Sequence, residues 1–86
     1  MLKILYFGAS WCAPCKVFKP VVDQVSQETR IPYQYIDVDS NPELSKNYNV
    51  TSIPTIVVTD DSGTVYQRRS GAVSKQVLTQ LFQTRK

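Results

Sequence analysis

Cys12 and Cys15 are the only cysteines in the chain and stand three positions apart, after an apolar run of strand length and before a helical pattern. A chain in this order turns from a strand into a helix at the cysteines, so it presents them at a helix N-terminus. Unpaired backbone N–H groups and the positive end of the macrodipole there favour a thiolate over a thiol, and the thiolate is the attacking species in disulfide exchange. Cys12, at the very end, is the candidate nucleophile. Cys15, one turn further in, lies within reach of it and can resolve a mixed disulfide between Cys12 and a substrate. A structural zinc centre normally takes four ligands, and the sequence offers neither a histidine nor a third cysteine. A purely structural bridge across so short a loop would constrain the unfolded chain little. The pair therefore reads as a dithiol/disulfide redox centre. Trp11, next to the nucleophile, belongs at the rim of the site, where an amphipathic ring can meet a substrate chain.

What surrounds this pair narrows the class further. With 86 residues the chain, 1–86, has room for a single domain, one that buries roughly 60–65% of its unfolded surface. No segment approaches the roughly 20 apolar residues that span a bilayer, which argues against a membrane protein. Leu2 to Phe7 is apolar but too short, and too poor in flanking features, for a signal peptide. A cytoplasmic location is expected, and in a reducing compartment two close cysteines are catalytic or metal-binding more often than structural. The net charge of +3 gives a mild bias toward acidic partners. Its lysines and arginines are scattered, with Arg68-Arg69 and Arg85-Lys86 as the only short clusters, so no nucleic-acid face is expected.

Periodicity then orders the elements. Leu2 to Phe7 is nearly continuous in apolar residues, as expected of a central strand covered on both faces. From Ala13 to about Thr29, Val17, Phe18, Val21, Val22 and Val25 recur at helical spacing and predict one apolar stripe. Pro14 suits the first turn of that helix, whereas Pro20 removes a hydrogen bond from its interior and predicts a kink. Tyr33 to Val38 reads as a second strand, and the strand, helix, strand order implies a parallel pair. Asn41-Pro42 opens a short helix to about Asn47. Thr55 to Thr59 and Thr64 to Arg69, joined by Asp60-Asp61-Ser62-Gly63, predict an antiparallel hairpin. Ser74 caps a final helix whose apolar face holds Val77, Leu78, Leu81 and Phe82. The expected class is α/β, in the order βαβαββα, with a four-stranded mixed sheet and helices on both faces.

Four segments in this order resemble the thioredoxin family, in its short, core-only form. Trp11-Cys12-Ala13-Pro14-Cys15-Lys16 differs from the family motif W-C-G-P-C-K only at Ala13, and Pro20 matches the family's helix proline. Ile53-Pro54-Thr55 is similar to the segment whose proline is cis in that fold, and Ser70 to Lys75 to the glycine-containing loop beside the substrate groove. The resemblance implies a thioredoxin-like fold in which Trp11, Ala13, Pro14, Ile53, Pro54 and Gly71 meet the substrate, with Lys16 and Tyr6 as modulators. Tyr6 stands where the family has a buried acid that exchanges a proton with the resolving cysteine. Water or the Tyr6 hydroxyl is expected to take over part of that role.

The resemblance also implies a monomeric protein-disulfide reductase with no bound prosthetic group. Its oxidised pair would be reduced by thioredoxin reductase, an NADPH-dependent flavin enzyme, and its partners would be disulfide-containing proteins such as ribonucleotide reductase. Two other functions fit the same residues less closely: a glutaredoxin-like reductase drawing on glutathione, and an accessory binding module whose thiols are incidental.

Overall fold

Continuous apolar runs alternating with helical stripes build strands that are covered by helices. In the computed structural model, which describes residues 2–84, the order is β1 (Leu2–Gly8), α1 (Ala13–Thr29), β2 (Tyr33–Asp37), α2 (Pro42–Asn47), β3 (Thr55–Asp60), β4 (Val65–Ser70) and α3 (Lys75–Phe82). Met1 and the basic pair Arg85-Lys86 lie outside the described residues. The strands form one mixed sheet in the order β2-β1-β3-β4. β1 runs parallel to β2, with Tyr6 opposite Tyr35, and antiparallel to β3, with Tyr6 opposite Ile56. β3 and β4 form the expected antiparallel hairpin, with an irregularity between Val58 and Thr59.

The two central strands, β1 and β3, are covered on both faces. On one face Ile4, Tyr6, Ile56 and Val58 pack with Phe18, Val22 and Val25 of α1 and Leu78, Leu81 and Phe82 of α3. On the other face Leu5, Phe7, Ile36 and Val57 pack under Leu44, Tyr48, Val50 and Ile53, from α2 and the segment after it. Helices thus cover both faces, two on one side and one short helix on the other. Among the described residues, no helix is long and apolar enough to cross a membrane.

The structure corrects the predicted stripe of α1 at one residue. Its buried side chains are Cys15, Phe18, Val22 and Val25, whereas Val17 is 77% exposed. Adjacent helical residues differ by about 100° around the axis, so Val17 and Phe18 cannot both face the sheet squarely; the larger ring takes the core. The helix runs through Pro20, which lies on its exposed side, and ends at Arg30 in the left-handed region with its N–H bonded to Ser26 O. Strand limits also shift: β2 stops at Asp37 rather than Val38, and the return strand is Val65–Ser70 rather than Thr64 to Arg69.

At the turn between β3 and β4, Asp60 acts as a second backbone. Its Oδ1 accepts from Ser62 N at 2.9 Å, Ser62 Oγ at 2.7 Å and Thr64 N at 3.0 Å, and its Oδ2 accepts from Tyr66 Oη at 2.6 Å. The Tyr66 hydroxyl, followed by that of Ser62, holds the carboxyl well below the usual carboxylate range. A carboxylate whose folded pKa is depressed adds stability above its unfolded pKa, near about 4, and that contribution fades as pH falls toward the folded value. Asp60→Asn therefore lowers the melting temperature at neutral pH. In melts at a series of pH values, the gap between variant and wild type narrows below about pH 4; a gap that stays constant with pH would contradict this role.

Candidate active site

Gly8 ends β1 and the chain turns at once into α1. Cys12 N–H donates to Ala9 O at 3.2 Å, closing the turn, and Cys12 becomes the N-cap of the helix. Cap positions are usually held by Ser, Thr, Asp or Asn, whose side chains accept an orphan N–H of the first turn. Here the acceptor is sulfur: Cys15 N–H donates to Cys12 Sγ at 3.2 Å. Pro14 sits inside the first turn, where its missing N–H costs nothing. Cys12 and Cys15 are joined in a disulfide with Cα atoms 5.2 Å apart. With Ala9 the pair forms a small apolar cluster, against which Val38 and Ile53 pack. In this oxidised state Cys12 is only 5% exposed and Cys15 3%. Little of either cysteine meets solvent in this state.

Around the pair the surface is uneven. Trp11 is 66% exposed, and its indole Nε1 donates to Asp39 Oδ2 at 2.6 Å. Asp39 is held in turn by its N–H, which donates to Asp37 Oδ1 at 2.8 Å. A groove of about 310 Å³ runs from Trp11 past Val38 to the 50–53 segment. Ala13, Pro14 and Lys16 lie exposed on the helix side. The Ile53–Pro54 peptide bond is cis, and Pro54 itself is buried. Gly71, at φ 84°, donates its N–H to Pro54 O at 2.7 Å. The left-handed backbone is one that side chains other than glycine's seldom adopt, so Gly71 ties the loop after β4 to the segment that carries Ile53. Of the predicted residues, Ile53 packs against the cysteines, Trp11 lines the same groove as Ile53, Ala13 and Pro14 lie between the cysteines in the first helical turn, and Gly71 is bonded to Pro54.

Tyr6 lies beneath the pair, fully buried, and its Oη donates to the backbone carbonyl of Cys15 at 2.8 Å. Burial, followed by the neighbouring Tyr35, Tyr33 and Asp23, pushes its pKa up to about 12. A phenol that keeps its proton this firmly takes none from a thiol near neutral pH. The Tyr6 hydroxyl is a hydrogen-bond donor in this oxidised state, and it faces the carbonyl of Cys15.

Two residues escaped the sequence reading. Asp39, which braces Trp11, looked like part of a polar turn, and Val38, which packs on the sulfurs, looked like the last residue of a strand. Both follow the C-terminal end of β2, which is parallel to the strand leading into the cysteines. In open α/β sheets ligands gather beyond those strand ends; this was the available signal.

A helix-capping cysteine bonded to a second one a turn inside, at the carboxyl end of a central strand and beside a cis-proline segment, defines a disulfide site on a thioredoxin fold. Comparison with known proteins specifies the family. The thioredoxin family model matches residues 1–84. A thioredoxin of Mycobacterium tuberculosis is 40% identical over 74 residues, covering 84% of this chain and 63% of that protein, so the chain spans less than two thirds of that relative's length. A bifunctional thioredoxin reductase/thioredoxin of Mycobacterium leprae is 38% identical over 74 residues, 84% of this chain and 16% of that protein. Among solved structures, a mutant thioredoxin from Halobacterium salinarum superposes with a TM-score of 0.86 at 32% identity, over 95% of this chain and 72% of that one. The chain belongs to the thioredoxin family.

Proposed function

We propose that the chain, as one domain over 1–86, is a protein-disulfide reductase that cycles between the disulfide seen here and a dithiol. In the reduced form the Cys12 thiolate attacks one sulfur of a substrate disulfide. That S–S bond breaks, the departing sulfur leaves as a thiolate and takes up a proton, and a Cys12–substrate disulfide forms. Cys15 then loses its proton and attacks Cys12 Sγ, which releases the second substrate sulfur as a thiol. Two electrons have passed to the substrate, and the chain is left oxidised. The observation that carries this reading is the cap: the same N–H of Cys15 that satisfies the helix end points at the Cys12 sulfur at 3.2 Å, where it stabilises a thiolate.

Trp11, Ala13, Pro14 and Ile53 are assigned to contact with the substrate chain, and Pro54 and Gly71, joined by a hydrogen bond, to support of the Ile53 segment. Exposed Lys16 adds a positive charge next to Cys15 in the chain, which suits acidic substrate segments. In this reading the protein is a monomeric cytoplasmic electron carrier in cell redox homeostasis, with ribonucleotide reductase among its targets and no prosthetic group of its own. Reducing equivalents come from NADPH through the flavin enzyme thioredoxin reductase. The Mycobacterium leprae relative, named as reductase and thioredoxin in one chain, supports that choice of donor.

The test is insulin reduction with either NADPH and thioredoxin reductase or NADPH, glutathione and glutathione reductase as the supply. Turnover is expected with the first and at least about tenfold slower with the second, a difference of about 1.4 kcal/mol in barrier. Faster turnover with glutathione would move the protein to the glutaredoxin-like reading. No turnover with either would leave the fold as a binding module.

A further inference from the structure

The hydroxyl of Tyr6 is buried beneath the redox pair and reaches across nine residues to the Cys15 carbonyl at 2.8 Å. An α-helix already directs an i+4 N–H to that oxygen, so the tyrosine adds a second donor to one particular carbonyl in the first turn. Its ring is held firmly. It meets Phe18 edge-on at 5.9 Å between centroids and Tyr35 edge-on at 5.4 Å. Gly8 makes the second contact possible, because a Cβ there would come within 3.1 Å of the Tyr35 ring and 3.4 Å of the Tyr6 ring.

The two polar ends of Cys15 then do different things: its carbonyl is pinned by Tyr6, and its N–H points at Cys12 Sγ. The two groups lie in successive peptide planes joined through φ and ψ of Cys15, and the helical backbone that holds those dihedrals carries the anchoring of one plane to the other. We propose that Tyr6 is the positioning residue of the dithiol, anchoring the Cys15 carbonyl so that the Cys15 N–H stays aimed at the Cys12 sulfur and stabilises its thiolate. The proposal rests on the reading of Cys12 as the attacking thiol. It also gives the position a different chemistry from a buried acid: a neutral donor acting through the backbone.

The titratable groups near Tyr6 and the pair come from β2, α1 and the loop after β2, whereas β3 and α3 face Tyr6 with apolar side chains. From β2 these are Tyr33, whose hydroxyl donates to Asp23 Oδ1, and Tyr35. From α1 they are Lys16, together with Lys19 and Asp23, which pair with one another at 3.1 Å. From the loop after β2 comes Asp39, which is bonded to Trp11. The hydrogen bond to the Cys15 carbonyl comes from Tyr6 alone among these side chains.

The test follows alkylation of the reduced protein by iodoacetamide as a function of pH, with mass spectrometry to assign the modified cysteine. Tyr6→Phe keeps the ring and removes only the hydroxyl. The Cys12 midpoint is expected to rise by roughly half a unit to one unit, which is about a three- to tenfold loss of thiolate below the midpoint. Tyr33→Phe also removes a tyrosine hydroxyl bond from this cluster and is the control; its midpoint is expected to stay at the wild-type value while its stability falls. An unchanged midpoint in Tyr6→Phe, or an equal rise in Tyr33→Phe, would overturn the role of Tyr6 and leave the Cys12 assignment standing. Preferential alkylation of Cys15 in the wild type would overturn that assignment, and the proposal with it.

Discussion

Cys12→Ser abolishes disulfide reduction while leaving the fold in place. Serine is among the preferred N-cap residues, and its hydroxyl can accept the Cys15 N–H that sulfur accepts here. The helix therefore keeps its cap and the helix–sheet core keeps its packing. What disappears is the nucleophile, since a serine hydroxyl has no appreciable anionic fraction at neutral pH and cannot form the mixed disulfide. The expected loss of insulin-reduction rate is at least about a thousandfold, on the scale of losing a nucleophile that no neighbour replaces. Thermal melting of the reduced forms is expected to agree within a few degrees. Residual activity of a tenth or more would mean that another group starts the reaction; the sequence offers only Cys15 for that role.

Phe18→Ala has the largest expected effect on stability. Phe18 is 3% exposed and sits where α1 meets the sheet, in the cluster formed by Ile4, Tyr6, Val22, Val25, Ile56, Val58 and the apolar face of α3. Replacing a buried phenylalanine by alanine costs about 3–5 kcal/mol, in transfer free energy and in the cavity left behind. Small domains are stable by only about 5–15 kcal/mol. At about 4–8 °C per kcal/mol for a chain of this size, the melting temperature drops on the order of 20 °C. The consequence reaches the site as well, because the Phe18 ring meets the edge of Tyr6 at 5.9 Å and Tyr6 holds the Cys15 carbonyl. Circular-dichroism melts check the first effect, and a drop under about 5 °C would show that α1 is not anchored through this ring.

The fold was legible wherever one residue pattern had one physical explanation. The nearly continuous apolar run at Leu2 to Phe7 suits a strand covered on both faces, and it became a central strand; Thr55 to Thr59, read only as one arm of a hairpin, became the other. The pair Cys12 and Cys15 was legible because a strand turning into a helix leaves little choice about where such residues lie. Phase was harder to read. A valine-rich helix offers several stripes of nearly equal hydrophobicity, and which one faces the sheet depends on the partner surface; Val17 was assigned to the wrong side for this reason.

Contacts distant in sequence were hidden altogether. Nothing local to Trp11 announces Asp39, 28 positions away, and nothing local to Tyr6 says that its hydroxyl meets a backbone carbonyl rather than a thiol. The family resemblance marked Tyr6 as a departure, but only the three-dimensional arrangement says what the departure does. The cis bond before Pro54 and the loop at Gly71 were likewise legible through the family's motifs and not through periodicity.

Trapping tests the division of labour between the two cysteines directly. In Cys15→Ser the first attack proceeds and the second cannot, so incubation of the reduced variant with a disulfide-containing protein such as insulin is expected to accumulate a covalent complex. Peptide mapping of that complex by mass spectrometry is expected to find the substrate sulfur bonded to Cys12, and a thiol reductant is expected to release it. The reverse pattern would make Cys15 the nucleophile and contradict the assignment of Cys12: no complex with Cys15→Ser, and a stable one through Cys15 in Cys12→Ser.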